Sequence, residues 1–133
     1  DASIEYDEDG DDQLKIGGAV TAFTNAVIGK TDTDTSNSGS VTLDFDANQN
    51  FVLTLTGAVT LANPTTEKVG QSGFIAFIQD GTGSRAVTLG TDYESAGGAG
   101  ITLTATAGAT DLVPYVVVAA NRVLLGTPQL AFS

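Results

Sequence analysis

The stretch that decides the fold is Gly70-Gln71-Ser72-Gly73-Phe74-Ile75-Ala76-Phe77-Ile78-Gln79-Asp80-Gly81-Thr82-Gly83-Ser84-Arg85-Ala86-Val87-Thr88-Leu89-Gly90. Residues 74–78 are five apolar residues in a row, too few to span a membrane and without the period of an amphipathic helix. Aromatic and β-branched residues with glycine on both sides predict a strand buried on both faces. Residues 80–84 are predicted to reverse the chain into a second strand, residues 85–89, so that the two strands form a hairpin.

The composition suits one domain with a core and excludes several kinds of chemistry. The chain has 133 residues, of which 41% are hydrophobic, and it contains neither cysteine nor histidine. Without cysteine it has no disulfide and no thiol nucleophile, and without histidine it lacks the usual general base and the commonest metal ligand. Serine–histidine triads and histidine-ligated zinc hydrolase sites are therefore excluded, and no cofactor is predicted.

Negative charge is concentrated near the N-terminus. The formal net charge is −11, and residues 1–46 contain eleven of the sixteen acidic side chains but only two basic ones, Lys15 and Lys30. Such a surface disfavours nucleic acid and anionic membranes as partners, because phosphate binding needs clustered Lys and Arg. No segment resembles a transmembrane helix or a secretory signal, so membrane insertion is not expected. The first residue is Asp rather than Met, which predicts that the chain is part of a longer polypeptide.

Two short alternating segments, Ile4-Glu5-Tyr6 and Gln13-Leu14-Lys15-Ile16, predict an N-terminal β-hairpin with an acidic tip. Within the tip, Asp7, Asp9 and Asp11 alternate as they do in calcium loops. The glycine, however, is fourth in the loop rather than sixth, and no glutamate closes a twelve-residue span. A solvated turn is the favoured interpretation, and a calcium site is the alternative.

A polar segment predicts the domain boundary. Residues 31–40 contain no apolar side chain, which is typical of a linker. We therefore expect an acidic hairpin, attachment segment and linker in residues 1–36 and a β-sandwich domain in residues 37–133. The first part has too little apolar surface to fold alone and is expected to dock onto the domain or onto neighbouring chains.

Short strand patterns fill the rest of the sequence. Apolar and polar residues alternate in residues 41–46, 51–56 and 101–106, and a break is predicted at Gly57-Ala58. A second long apolar run, residues 112–120, is interrupted by Pro114, which favours an edge or a bulge there. No stretch has a helical period with caps. The predicted fold is all-β: an antiparallel, jelly-roll-like β-sandwich with an N-terminal β-hairpin extension.

The apolar content of the C-terminal third predicts self-association. Residues 112–120 together with Leu124, Leu125, Leu130 and Phe132 give more two-sided apolar strand than a monomeric sandwich of this size covers. Packing of three copies around an axis would bury this surface and cover sheet edges.

Several strings in residues 40–125 carry a resemblance to a known family: Leu53-Thr54-Leu55-Thr56-Gly57, Val59-Thr60-Leu61-Ala62-Asn63-Pro64, Gly70-Gln71-Ser72-Gly73, Gln79-Asp80-Gly81-Thr82-Gly83-Ser84-Arg85 and Leu103-Thr104-Ala105-Thr106-Ala107-Gly108-Ala109-Thr110-Asp111. They resemble a module of tailed-bacteriophage virion proteins, especially tail fibres and related appendages. Residues 4–14 similarly resemble a short repeat of phage fibre proteins. The resemblance implies a non-enzymatic, homotrimeric virion component with other virion proteins as partners. It leaves open whether the location is a tail fibre, a head fibre or capsid decoration, or a neck appendage.

Two groups of residues are candidate sites. Asp80 and Arg85 are spaced to pair across the central loop, where they would close the turn or bridge two subunits. Asp92, Tyr93 and Glu94 lie in a glycine-rich loop that could bind a surface glycan, although a solvated loop with one packed tyrosine is favoured. No catalytic residue is predicted, because no acid–base couple is recognisable. The alternatives to a structural module are a carbohydrate-binding receptor-recognition module and, less favoured, a depolymerase.

Overall fold

The computed structural model describes residues 4–6, 14–16 and 26–133. Its strands are β1 Ile4–Tyr6, β2 Leu14–Ile16, β3 Thr31–Thr42, β4 Asn50–Ala62, β5 Ser72–Gln79, β6 Val87–Leu89, β7 Tyr93–Ser95, β8 Thr110–Ala119, β9 Arg122–Leu125 and β10 Gln129–Phe132, with one 3₁₀ turn at Ala96–Gly98. In these described residues no helix is long and apolar enough to cross a membrane. The prediction of an all-β fold is confirmed.

Eight of the strands form one mixed sheet. Its strand order is β3-β4-β5-β8-β9-β7, with β6 paired to β4 and β10 paired to β8. β4 runs parallel to β3, β5 and β6, and β7 runs parallel to β9. Antiparallel pairing, which was predicted throughout, occurs in this sheet between β8 and its neighbours β5, β9 and β10. The jelly-roll-like sandwich stays a prediction.

The N-terminal strands β1 and β2 form a separate antiparallel pair, with Ile4 opposite Ile16 and Tyr6 opposite Leu14. The two strands of the predicted hairpin are therefore confirmed. Its acidic tip, with the calcium candidates Asp7, Asp9 and Asp11, lies outside the described residues.

The central stretch is not a hairpin. β5 pairs with the first half of β4, where Gln79 lies opposite Leu55, and β6 pairs with the second half, where Val87 lies opposite Val59. Both strands run parallel to β4, so the chain does not reverse between them. Residues 80–86 leave the edge of β4 and then return to it. The prediction was wrong because turn residues fix the local backbone, but they do not determine which strand receives the next run of hydrogen bonds.

The predicted linker is also wrong, because residues 31–40 lie in β3. Its hydrogen bonds to β4 hold this edge strand although only one of its residues, Asn37, is buried. The Asn37 amide donates hydrogen bonds to the carbonyl oxygens of Asp34 and Thr54, at 3.2 and 3.1 Å, where the register between the strands shifts. Backbone pairing needs no apolar side chain, so the polar sequence concealed the strand. The division of the chain at residue 36 stays a prediction.

Three other strand limits differ from the prediction. β4 continues through Gly57 and Ala58 without a break. β3 ends at Thr42, and the chain then turns because Oδ1 of Asp44 accepts hydrogen bonds from the backbone N–H groups of Asp46 and Ala47. Residues 101–106 form no strand and end in a bend at Thr106.

The core is built from the odd-numbered residues of the sheet, as strand alternation requires. The buried apolar side chains in the strands are Phe51, Leu53, Leu55, Val59, Leu61, Ile75, Phe77, Val87, Tyr93, Val113, Tyr115, Val117, Val123 and Leu125. β6 pairs with β4, and β7, which follows after only three residues, pairs with β9 at the far end of the strand order. The sheet therefore curls so that its odd face encloses the core. Leu43 and Phe45, from the turn after β3, complete the core.

The even-numbered side of β5, β8 and β9 is apolar but only partly covered. We call this surface the outer face; its residues are Phe74, Ile78, Leu112, Pro114, Val116, Val118 and Leu124. Val116 and Val118 are 38% and 41% exposed. The prediction that residues 74–78 are buried on both faces thus holds for the odd side and for Ala76, which is 7% exposed, and fails for Phe74 and Ile78, which are half-buried.

Pro114 lies in the interior of the sheet, at an interruption of the neighbouring strand. Its carbonyl oxygen accepts a hydrogen bond from Gly126 N–H, at 2.8 Å, where the chain leaves β9 before it re-forms as β10. The missing proline N–H falls in this gap, so no ladder hydrogen bond is lost. A β-carbon on Gly126 would lie 2.6 Å from Cγ of Pro114, and glycine therefore permits the close approach. Neither predicted context, edge or bulge, describes this position, because β5 pairs with Pro114 in regular register and the register shift between β8 and β9 lies at residues 117–119.

Candidate functional site

The loop of residues 80–86 is closed at its base by Gln79. This side chain is 4% exposed. Its amide accepts a hydrogen bond from Arg85 N–H at 2.8 Å and donates one to the Arg85 carbonyl oxygen at 3.0 Å. The side-chain amide of Gln79 therefore pairs with the N–H and C=O groups of Arg85 as a neighbouring strand would. Sequence analysis did not predict a role for Gln79. It could have done so, because Gln79 ends an apolar strand and lies on the same side of it as Ile75 and Phe77.

The same loop contains the predicted pair of Asp80 and Arg85. Nη2 of Arg85 donates to Oδ2 of Asp80 at 2.8 Å, and Nε lies 3.2 Å from both carboxylate oxygens. Oδ1 also accepts the backbone N–H groups of Thr82 and Gly83, at 3.0 and 2.9 Å. The structure thus brings the two residues together within one loop of one chain, and a bridge between subunits stays a prediction.

These contacts lower the pKa of Asp80 from 3.8 to about 2, chiefly through the Arg85 hydrogen bond and then through Gly83 N–H. A carboxyl group whose pKa is lower in the folded state stabilises the fold above its unfolded pKa, and this contribution disappears as pH falls through the folded value. We expect Asp80→Asn to be less stable than the wild type by a constant amount above about pH 5, with the difference shrinking between pH 4 and pH 2. Urea unfolding at a series of pH values measures it. An equal difference at pH 7 and pH 2 would contradict the linkage.

The backbone conformation of the loop requires glycine at position 83. Its φ is +75°, and a β-carbon would lie 2.4 Å from the carbonyl oxygen of Ala105 and 2.8 Å from the N–H nitrogen of Ala107. We expect Gly83→Ala to lower the free energy of unfolding by about 2–4 kcal/mol, because it adds a left-handed alanine and a backbone clash.

Gly81 is the matched control in the same loop, since a β-carbon there would meet nothing within 4 Å. Gly81→Ala should change the free energy of unfolding by less than about 0.5 kcal/mol. Thermal or urea unfolding of both variants tests the contrast, and equal losses would mean that loop composition rather than the Gly83 contact matters.

The second predicted site is divided by strand alternation in β7. Tyr93 is 4% exposed and faces the core, where burial raises the pKa of its phenol. Glu94 faces the opposite side and binds Arg122, whose Nε and Nη2 donate to its two oxygens at 2.7 and 2.9 Å; this pairing lowers the pKa of Glu94. Asp92 lies partly buried in the preceding turn. The three residues therefore do not form one surface cluster.

Beside β7 lies an open groove. Two cavities of about 680 and 320 Å³ share Val87 and Ile101, so they form one depression between residues 84–95 and residues 98–105. We call it the β6 groove. Of the predicted glycan residues, Tyr93 and Glu94 line it and Asp92 does not. In the part of the chain that the structure describes, no three acidic side chains are grouped to hold a metal ion.

The buried carboxylate of Asp111 connects residues 101–106 to the sheet. Sequence analysis did not single it out as a site. Asp111 is 2% exposed. Its oxygens accept hydrogen bonds from Thr104 N–H at 2.5 Å, from the Thr104 hydroxyl at 2.8 Å and from Ala131 N–H at 2.8 Å. Thr104 thereby satisfies its donors without a strand partner, which explains why the alternating pattern there did not form a strand. An acidic residue at an odd, inward position of β8 was the available signal.

Comparison with known proteins decides the family. Residues 31–118 match the family described as "Putative phage tail fibre C-terminal domain". The chain belongs to this family. The predicted resemblance to phage tail fibre modules is confirmed, and the chain is a structural phage fibre component located in the virion. No curated protein and no solved structure gave a match.

The limits of the match agree with the structure of this tail fibre domain. The match begins at Thr31, the first residue of β3, and ends at residue 118, within β8. The polar edge strand therefore belongs to the family's domain, which is a second reason why the linker prediction was wrong. β9 and β10 lie beyond the matched residues.

Proposed function

We propose that this tail fibre domain is a non-enzymatic assembly module, which forms a homotrimer and attaches to, or is displayed on, the phage particle. The observation that carries the trimer is the outer face. It is apolar, it contains no charged side chain, and Val116 and Val118 are more than a third exposed in the isolated chain. Contiguous exposed apolar surface on a folded domain marks an interaction site.

A second copy of the chain is the partner that fits this face best. The chain carries a net charge of −11, so two copies repel each other least when they approach through an uncharged surface. The ion pair between Arg122 and Glu94 lies on the same side of β9 and β7, and it gives the apolar face a polar border. A charge-free centre with a polar rim is the usual anatomy of a protein interface.

Attachment to the particle is assigned to the N-terminal hairpin. β1 and β2 pair only with each other among the described strands, and they precede the domain. Residues 1–46 carry most of the acidic side chains. We propose that this segment continues from, or binds to, the particle-proximal part of the fibre.

Chemical cross-linking of the full chain tests the assembly. A ladder of products that ends at the trimer supports the proposal, and an uncross-linked monomer at micromolar concentration contradicts it. Electron microscopy of phage particles with a gold-labelled antibody against this domain tests the attachment. Label on an appendage supports it and distinguishes a tail fibre from head or neck fibres, whereas particles without label contradict it.

Carbohydrate binding in the β6 groove is the alternative function, because the polar residues Glu94 and Ser95 line this groove. The ring of Tyr93 is buried and offers no exposed face for a sugar to stack on. A glycan array probed with the wild type and with Glu94→Gln tests this alternative: binding that the substitution abolishes would favour it, and an array without binding would remove it.

The acidic side chain that lines the same groove supports the proposal that the domain is not an enzyme. Canonical glycoside hydrolysis uses two carboxyl groups that flank the scissile bond, one of them protonated at working pH. Glu94 is the one acidic side chain among the described residues that line the groove, and its pairing with Arg122 lowers its pKa. A polysaccharide-cleavage assay that released sugar would contradict the proposal.

A further inference from the structure

β6 has a free edge that faces the β6 groove. Ala86 C=O accepts a hydrogen bond from Val59 N–H, at 2.9 Å, and Gly90 N–H donates to Leu61 C=O, at 2.7 Å. Backbone groups of successive residues in a strand point to alternate edges, so the N–H and C=O groups of Val87 and Leu89 point away from β4. Among the described residues none of these groups has a backbone partner outside the strand ladders, and β6 pairs with β4 alone.

The segment across the groove does not complete this edge. Residues 101–105 form no strand, and their backbone contacts the far side at one end, where Ala105 C=O accepts a hydrogen bond from Ser84 N–H at 2.8 Å. Between the two walls, Leu89, Ile101 and Leu103 are only partly buried and pack against the core. The groove thus has an unpaired strand edge and a partly apolar floor. Arg85, in one wall, is already paired with Asp80.

β10 has the complementary features. It is four residues long, Gln129–Phe132, it carries no charge, and all four residues are exposed. Leu130 and Phe132 are 52% and 54% exposed although the strand is bound to β8. β8 is its only strand partner among the described strands, so no strand lies along the second edge of β10, although the Ala131 N–H already donates to Asp111.

We propose that β10 of a second copy of this chain adds to the free edge of β6 and covers the β6 groove. The unpaired N–H and C=O groups of β6 would gain partners from the backbone groups of β10 other than the Ala131 N–H, and the apolar side chains of β10 would cover the groove floor. Both elements are uncharged, so they can meet in an acidic protein without bringing like charges together. The contact joins two different surfaces, as in a cyclic assembly, and three such contacts close a ring. The inference rests on the proposed trimer and names a second contact within it.

Amide hydrogen exchange of the full chain tests the proposal residue by residue. In the dissociated chain Val87 and Leu89 amides should exchange rapidly, because no acceptor protects them. In the assembled chain they should become slower by about tenfold or more. Thr88 is an internal control in the same strand: its N–H points towards β4 and should be slow in both states, which also reports that β6 is folded.

The variant Leu130→Asp/Phe132→Asp identifies the strand that docks. If β10 is that strand, Val87 and Leu89 exchange rapidly again in this variant while Thr88 stays slow. Protection that survives the substitutions would overturn the assignment to β10. Light scattering on the same samples separates this inference from the proposed function, because a wild-type trimer with rapidly exchanging Val87 and Leu89 would overturn the β6 contact and leave the trimer intact.

Discussion

Replacing Asp111 by alanine is expected to lower the free energy of unfolding by about 3–5 kcal/mol, because hydrogen bonds to a charged group contribute about 1.5–3 kcal/mol each and three donors would lose their acceptor. The carboxylate is 2% exposed, and it connects β8 to Thr104 and to Ala131 of β10. One substitution therefore releases two segments that have few other polar contacts with the sheet.

Urea unfolding monitored by circular dichroism measures the Asp111→Ala loss, and Asp32→Ala is the matched control. Asp32 is an exposed acid in β3, so its removal makes the same change in charge without opening a buried site. The control should change the free energy of unfolding by less than about 0.5 kcal/mol. A loss below about 1 kcal/mol for Asp111→Ala would mean that water replaces the carboxylate at little cost.

The double substitution Val116→Asp/Val118→Asp is expected to dissociate the trimer while the chain stays folded. Both side chains are more than a third exposed in the single chain, so each charge remains hydrated there. In the trimer the charges would be buried without partners, at a cost of several kcal/mol. We expect the concentration at which the chain assembles to rise by at least about 100-fold, which corresponds to about 5.5 kcal/mol per trimer, because the midpoint concentration of a trimer varies as the square root of its dissociation constant.

Light scattering over a range of concentrations measures the shift, and Thr33→Asp/Thr35→Asp is the control. These two threonines are exposed on β3, away from the outer face, and the control adds the same two charges. The control should assemble as the wild type does. Equal weakening by both variants would show that net charge rather than the outer face governs assembly.

The sequence predicted the parts of this fold that depend on side-chain periodicity. The alternation predicted in residues 51–56 places Phe51, Leu53 and Leu55 on one side of the strand, and all three are buried. The two strands of the N-terminal hairpin were likewise predictable, because apolar and polar residues alternate in residues 4–6 and 13–16. Periodicity reports which side of a strand is covered, and this depends on the strand itself.

The sequence did not predict which strands pair with each other or where an alternating segment fails to form a strand, because both depend on other parts of the chain. β3 forms although its sequence is polar, since β4 supplies the hydrogen bonds. Residues 101–106 alternate and yet form no strand, since Asp111 takes the donors of Thr104. Glycine and threonine after Asp80 predicted a chain reversal, but the chain only bends there and continues into β6, which pairs with β4. The pairing of β3 and of β6 with β4 rests on contacts between residues far apart in sequence, whereas Asp111 and Thr104 are seven residues apart.

The candidate site was predicted in the same partial way. The spacing of Asp80 and Arg85 was sufficient to anticipate their contact, because both lie in one short loop. Tyr93 and Glu94 were adjacent in sequence but lie on opposite sides of β7. The free edge of β6 left no signal in the sequence, because unpaired backbone groups depend on which strands are neighbours and not on residue type.

The most direct test of the central claim, assembly through the outer face, is the mass of the full chain by sedimentation equilibrium at micromolar concentration. The account predicts a species of three times the 13.5 kDa chain for the wild type, and a 13.5 kDa species for Val116→Asp/Val118→Asp under the same conditions. A folded wild-type chain of 13.5 kDa at every concentration, or a trimer that both substitutions leave intact, would contradict it.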